Sequence, residues 1–267
     1  SFSDLDADGD MDLYITVLGG AYGFQTINNF YQFENVGDSE SPLYVENTRN
    51  FLNALDFYDK VNPELVDLDN DGDDDLYVSN GMNDFNLYST ENPYYTDPLE
   101  NKSINISLPA SHRATNVFFM NANGKLQNMS EQSGANLMSN SRSVTYLDYD
   151  NDGDLDMLIN NYHEPAVFYR NNTNLLDGNW LKIKLIGSSD KQTNRDAIGA
   201  KIIVSTEGGL QVWHEIHSSS GYLTMHPKQQ HFGLGIYKKA TVTVEWPNGD
   251  EMNFKNVSVN TSYTISQ

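Results

Sequence analysis

An all-β fold is what the sequence predicts: partial β-propeller blades followed by a small antiparallel β-sandwich. Three observations predict it. One acidic nine-residue pattern occurs three times, and each copy runs straight into a strand-like segment. Beyond residue 174 the pattern stops and longer alternating segments take over. Bulk for strands comes from 16 Tyr and 12 Phe, while 8 Pro and 19 Gly are scattered as turn punctuation.

The repeated pattern is D-x-D-x-D-G-D-x-D. Its copies are Asp4, Asp6, Asp8, Asp10 and Asp12; then Asp67, Asp69, Asp71, Asp73 and Asp75; then Asp148, Asp150, Asp152, Asp154 and Asp156. Carboxylates at alternate positions of a tight loop converge on one centre. Glycine at the sixth position (Gly9, Gly72, Gly153) permits the sharp turn, and so many hard oxygen donors suit Ca²⁺ better than Mg²⁺. An EF-hand would need a bidentate Glu at position twelve and a helix after it. Position twelve is Ile15, Val78 and Ile159, and the following Leu13-Tyr-Ile-Thr-Val, Leu76-Tyr-Val-Ser and Met157-Leu-Ile-Asn have strand composition. The ninth-position Asp must therefore close the site, and the metal clips one strand to the next. Three calcium sites are expected.

The copies begin 63 and 81 residues apart, about the length of a propeller blade. A second strand pattern follows each loop: Asn29-Phe-Tyr-Gln-Phe-Glu-Asn-Val, Asn116-Val-Phe-Phe-Met-Asn and Ala166-Val-Phe-Tyr-Arg-Asn-Asn. Shorter strands such as Leu43-Tyr-Val-Glu-Asn come next, and Pro63-Glu-Leu-Val and Val144-Thr-Tyr-Leu lead into the later loops. Four strands per unit make a blade. On the segment from Phe2 through Tyr14, the two later loops and Phe168-Tyr-Arg-Asn-Asn, residues 1–174 resemble the FG-GAP/VCBS repeat family. That resemblance implies a loop between neighbouring blade strands, with ligands from the side chains at positions 1, 3, 5 and 9 and the carbonyl at position 7. Three blades cannot close a ring of four to eight, and no strand pattern precedes Asp4. We therefore read the chain as the C-terminal part of a longer propeller protein.

From residue 175 to 267 the acidic loop never returns. Trp180-Leu-Lys-Ile-Lys-Leu, Ala197-Ile-Gly-Ala-Lys-Ile-Ile-Val, Leu210-Gln-Val-Trp-His-Glu-Ile and Ala240-Thr-Val-Thr-Val-Glu-Trp alternate as sandwich strands do. The pieces Asn194-Arg-Asp-Ala-Ile-Gly-Ala, Ser220-Gly-Tyr-Leu, His231-Phe-Gly-Leu-Gly and Val244-Glu-Trp-Pro-Asn-Gly resemble the ASPIC/UnbV domain found behind FG-GAP repeats in cartilage acidic protein-like sequences. Thr224-Met225 departs from the Ser-Gln expected there.

A net charge of −21 argues against nucleic acid, and sixteen loop aspartates account for all but five of those charges. With no cysteine, disulfides and thiol nucleophiles are excluded. No apolar run approaches the ~18 residues of a membrane span. His214-Glu-Ile-His217 is one residue short of a zinc helix and lies in a strand pattern, so its histidines point to opposite faces. His231 reads as a packed or capping histidine, Gly233-Leu-Gly235 as a turn, and Ser218-Ser-Ser-Gly221 is not a nucleophile elbow. Residues 81–113 form a long insertion carrying Phe85, Tyr88, Tyr94 and Tyr95, read as packing onto its own blade in preference to a binding loop. Asn-x-Ser/Thr occurs at Asn101, Asn105, Asn128, Asn171, Asn256 and Asn260, a frequency expected by chance in so Asn-rich a chain.

The expectation is a secreted, cell-surface or periplasmic calcium-binding module without catalytic residues, engaging a protein or glycan partner in adhesion, alone or within a larger surface complex. Part of a polysaccharide-processing enzyme, or a structural subunit of a bacterial envelope assembly, is the alternative.

Overall fold

The computed structural model describes residues 2–3, 12–16, 30–37, 41–48, 61–80, 115–122, 124–139, 141–161, 164–173, 178–220 and 224–267. Asp4, Asp6, Asp8 and Asp10 lie outside the described residues, as does the 81–113 insertion with its four aromatics.

Each acidic loop joins the first two strands of an antiparallel sheet. The first sheet runs β1 (Phe2–Ser3), β2 (Asp12–Thr16), β3 (Phe30–Asn35), β4 (Tyr44–Thr48), in that spatial order. A strand does precede the first loop, contrary to the sequence expectation. It is two residues long, pairing Phe2 with Leu13 and Ser3 with Asp12, and is too short to leave an alternating pattern. The second sheet repeats the order with β5 (Val61–Val66), β6 (Asp75–Asn80), β7 (Val117–Asn121) and β8 (Leu126–Asn128). Pro63 sits opposite Val78 on the edge strand β5, where a missing N–H is tolerated. A single helical turn, α1 (Ser130–Ser133), leads to the third sheet of β9 (Ser141–Leu147), β10 (Asp156–Asn161) and β11 (Val167–Tyr169). Three strands are described there instead of the expected four, because the chain after residue 178 enters a different sheet.

All six residues of β6 are buried, because both of its faces are covered. Leu76 and Val78 pack with Tyr14 of the first sheet and Phe119. Tyr77, pointing the other way, joins Phe118, Val144, Tyr146, Met157 and Ile159 against the third sheet. This is face-to-face stacking of successive blades.

The C-terminal strands are β12 (Asn179–Ile186), β13 (Lys201–Thr206), β14 (Gln211–Glu215), β15 (Gln230–Gly235), β16 (Lys239–Glu245), β17 (Glu251–Ser258) and β18 (Thr261–Ser266). They form two sheets, ordered β15-β12-β18 and β14-β13-β16-β17. Leu181, Ile183 and Leu185 of one sheet and Ile202, Val204, Val242 and Val244 of the other share one core with Phe232, Leu234 and Trp246. One pair is not antiparallel: β18 runs parallel to β12. The chain changes sheets at Asn260, whose φ of 55° makes the corner. The Asn260 amide donates to the Trp180 carbonyl and its side-chain oxygen accepts from the Trp180 amide. Gly233-Leu-Gly235 is not a turn but the end of β15.

Candidate metal centre

The second and third loops fold by the same set of bonds. The position-1 carboxylate reaches across the turn, so that Asp67 Oδ2 accepts from the Gly72 amide and Asp148 Oδ2 from the Gly153 amide, both at 3.0 Å. Asp69 and Asp71 each accept from the amide two residues on, at 3.3 and 2.8 Å; Asp150 and Asp152 do the same at 3.4 and 3.3 Å. These are Asx turns in series, and they aim alternate carboxylates inward. The backbone must pass twice through the left-handed region. Asn70 and Asn151 do so at φ 64° and 61°, and Gly72 and Gly153 at 101° and 102°, where a side chain would be strained.

The ninth-position Asp locks the loop to its blade. Asp75 accepts from the amides of Leu68 (3.0 Å) and Asn121 (2.7 Å), and Asp156 from those of Tyr149 and Asn171 (both 2.9 Å). The first loop keeps this feature, since Asp12 Oδ1 accepts from the Asn35 amide at 2.9 Å. Asn35, Asn121 and Asn171 have an anchoring role that the sequence reading did not assign to them, although each lies at or next to the end of the second strand pattern of its repeat. Their side chains brace the next turn: Asn35 accepts from Gly37 and Leu43, Asn121 from Gly124, and Asn171 from Thr173. Asn171 also donates to the carbonyls of Leu68 and Leu155.

Among the described residues, two groups of carboxylates each come close enough to hold one metal ion. Asp67, Asp69 and Asp71 offer oxygens within 4.8 Å of one another, and so do Asp148, Asp150 and Asp156. Asp67 Oδ1 and Asp148 Oδ1 are buried without a hydrogen-bond partner. A buried unpaired carboxylate oxygen is costly, and a hard cation is the partner that suits it. The donor set therefore fits a divalent cation. Burial pushes Asp75 up to about 8 and Asp71 up to about 6, with neighbouring carboxylates adding to both. Asp67 is raised far above the usual range by burial and then by the charges of Asp75, Asp69 and Asp71. Burial likewise lifts Asp154 to about 8.

Residues 67–159, which contain both of these loops, match the family model described as FG-GAP-like repeat, and residues 190–267 match that of ASPIC and UnbV. The chain carries an FG-GAP-like repeat followed by an ASPIC/UnbV domain. Cartilage acidic protein 1 of Homo sapiens is 31% identical to it over 114 residues, covering 42% of this chain and 16% of that protein. Cartilage acidic protein 1 of Mus musculus is 30% identical over 105 residues, covering 38% of this chain and 16% of that protein. The chain thus spans about a sixth of the length of these curated relatives.

The sandwich bearing the ASPIC/UnbV domain docks on the loops of the FG-GAP-like repeat, a contact no sequence signal announced. Asn70 is the hub. Its amide nitrogen donates to the Gly153 carbonyl (3.1 Å), its side-chain oxygen meets His231 Nε2 (2.6 Å), and its own carbonyl accepts from the Gly235 amide (2.8 Å). Gly233 lies so near that a Cβ on it would stand 1.7 Å from Asp67 Oδ2. A Cβ on Gly153 would meet the Trp180 indole at 1.9 Å. His231 is a packed histidine, as expected. It stacks on Trp180 with ring centroids 6.2 Å apart, and burial, then Lys182 and His214, push it down to about 3. His214 and His217 do not converge: His214 stacks on Phe232 at 4.5 Å, while His217 is exposed beside Glu215.

A second contact runs along β9, an edge strand of the third sheet. Thr224 Oγ1 donates to the Val144 carbonyl (3.0 Å), Thr145 Oγ1 to the Met225 carbonyl (3.2 Å), and the Tyr146 amide to His226 Nδ1 (3.3 Å). Thr224 and Met225, the departure from the family pattern, thus hold the sandwich to the blade. Residues 221–223 lie outside the described residues.

The two loops differ in their cations. The buried Lys182 ammonium bonds Asp148 Oδ2; the two side chains are 4% and 3% exposed. Arg170 pairs with Asp150 at 2.6 Å and reaches Asp152 at 3.4 Å. Burial works to raise Asp152, but hydrogen bonds from Asp154, Asp150 and Arg170 overcome it and hold the carboxyl low. Met120 occupies the place of Arg170 in the second repeat, and no lysine or arginine pairs with Asp67, Asp69, Asp71 or Asp75 among the described residues.

Proposed function

We propose that the chain is a calcium-binding, non-catalytic module of an extracellular or cell-surface protein, in which the metal rigidifies propeller blades that engage a protein or glycan partner. The observation that carries this reading is the pair of buried, unpartnered oxygens, Asp67 Oδ1 and Asp148 Oδ1, each within a group of three converging carboxylates. The second site would draw on Asp67, Asp69, Asp71, the Asp73 carbonyl and Asp75. The third would use Asp148, Asp150, Asp152, the Asp154 carbonyl and Asp156, and the first Asp4, Asp6, Asp8, the Asp10 carbonyl and Asp12.

The cation would supply the positive charge that lets these buried carboxylates stay ionised. The chain's own groups do the rest. The Gly72 and Gly153 amides each engage one oxygen of the position-1 carboxylate and leave the other without a hydrogen-bond partner, and the Asn121 and Asn171 amides hold position nine against the blade. At an extracellular location, millimolar Ca²⁺ would fill even weak sites. The match to cartilage acidic protein 1 and the FG-GAP-like repeat support an adhesion role. Among the described residues, no helix is long and apolar enough to cross a membrane.

Thermal melting in EDTA, Ca²⁺ and Mg²⁺ tests this. A cation held only by the folded state at a hundredfold excess over Kd stabilises it by about 2.7 kcal/mol per site. EDTA should lower the melting temperature and Ca²⁺ restore it, with Mg²⁺ largely ineffective. A curve indifferent to chelator sinks the reading.

A further inference from the structure

The second and third loops share sequence pattern, backbone and internal bonds, yet the sandwich presents different chemistry to each. To the second loop it offers Gly233, too close to Asp67 for any side chain, and His231, which meets Asn70 and no carboxylate. To the third loop it offers Lys182, which reaches in from β12 beneath the Trp180 ring, its ammonium 4.8 Å from the ring centroid. That ammonium and the Gly153 amide both bond Asp148 Oδ2, and Oδ1 stays without a partner. The lysine therefore shares the oxygen already bonded by the Gly153 amide. It compensates the acidic loop while Oδ1 stays available to a cation.

We propose that Lys182 is a built-in counter-cation of the third loop, so that docking of the sandwich supplies there positive charge that, among the described residues, no lysine or arginine brings to Asp67, Asp69, Asp71 or Asp75 of the second loop. This rests on the calcium reading above. Lys182 is then a positioning residue whose presence makes the third loop less dependent on metal than the second. Taking it away leaves Asp148 buried without its cationic partner, with Arg170 at Asp150 and Asp152 and a bound cation as the remaining positive charge of the loop. The lysine and the cation therefore overlap in what they do, and the loss of one is felt most when the other is absent.

The test is thermal melting of the intact chain with Lys182→Met and Lys182→Arg, each in EDTA and in saturating Ca²⁺. In EDTA, Lys182→Met should melt about 6–12 °C below wild type, the effect of stranding one partner of a buried ion pair in a domain this size. In Ca²⁺ the deficit should fall to less than half of that, and Lys182→Arg should recover most of the loss in EDTA. A lysine that merely packs would give the same deficit in both conditions, and that result overturns the proposal. If wild type itself responds to chelator while the deficits are equal, only this proposal fails; if wild type ignores chelator, the calcium reading falls with it. Should Lys182→Met not fold at all, hydrogen exchange on wild type in EDTA decides. Slower exchange in residues 148–156 than in 67–75 supports the built-in cation, and equal or reversed protection overturns it.

Discussion

The second and third acidic loops are the same object placed in two electrostatic settings. Both pass through the left-handed region at the same two positions and fold alternate aspartates onto amides two residues away. Both anchor position nine on an asparagine amide of their own blade. In the second loop, burial raises Asp67, Asp69, Asp71 and Asp75. In the third, Lys182 and Arg170 face the carboxylates, Asp152 is held low, and burial raises Asp154. The difference teaches that a repeated motif fixes loop geometry, while the charge each copy must still acquire is set by what the rest of the chain lays against it.

The largest expected effect concerns the shared platform. Gly233→Ala places a methyl group into Asp67 and the Asn70 backbone, 1.7 and 2.7 Å away, so about 2–4 kcal/mol should be lost in chemical denaturation. Gly209→Ala, with open space around it but a φ of 92°, should cost about 1 kcal/mol and serves as control. If the two losses are alike, the sandwich does not sit on the second loop as described. Next in size, Asp75→Ala and Asp156→Ala each strand two amides, for about 2–4 kcal/mol in EDTA. The bonds are the same in both loops, so neither loss should be negligible; a loss near zero in either variant breaks the claim that position nine anchors its loop.

A smaller effect is the pH dependence in EDTA. Asp75 and Asp154 titrate near 8 in the folded chain and near 4 once unfolded. Between those values the folded state holds more protons, so stability is full at the acid end and falls as pH rises through the window. The melting temperature in EDTA should be higher at about pH 5 than at about pH 8, and Ca²⁺ should flatten or reverse that slope. A melting temperature that climbs with pH in EDTA contradicts the raised values. Smallest of all, Arg170→Met removes an exposed pair and should cost no more than about 1 kcal/mol. A loss as large as that of Lys182→Met would place the third loop's charge balance at its rim instead of beneath it.

Much of this was legible in the sequence, for a physical reason. A run of nine residues with carboxylates at alternate positions and a glycine turn is local, so spacing alone announces the loop, and Leu76-Tyr-Val-Ser or Met157-Leu-Ile-Asn announces the strand that follows. The sandwich strands were equally visible through alternation. The docking was not. Lys182 and Asp148 are 34 residues apart and His231 and Asn70 161 apart, and such contacts leave no period to read. Gly233 was misread as a turn because a glycine required by an approaching carboxylate looks the same in sequence as one required by a bend. Asn35, Asn121 and Asn171 could have been found, since each lies at or next to the end of the second strand pattern of its repeat. What hid them is that the bonding group is the backbone amide, which any residue but proline would supply.

The central claim is that these loops are calcium sites built around the position-1 aspartates. Isothermal titration of the chelator-stripped chain with Ca²⁺, alongside Asp67→Asn and Asp148→Asn, tests it most directly. The account predicts three ions per wild-type chain and the loss of one in either variant, with the remaining sites still filling. A stoichiometry that neither substitution changes would contradict it.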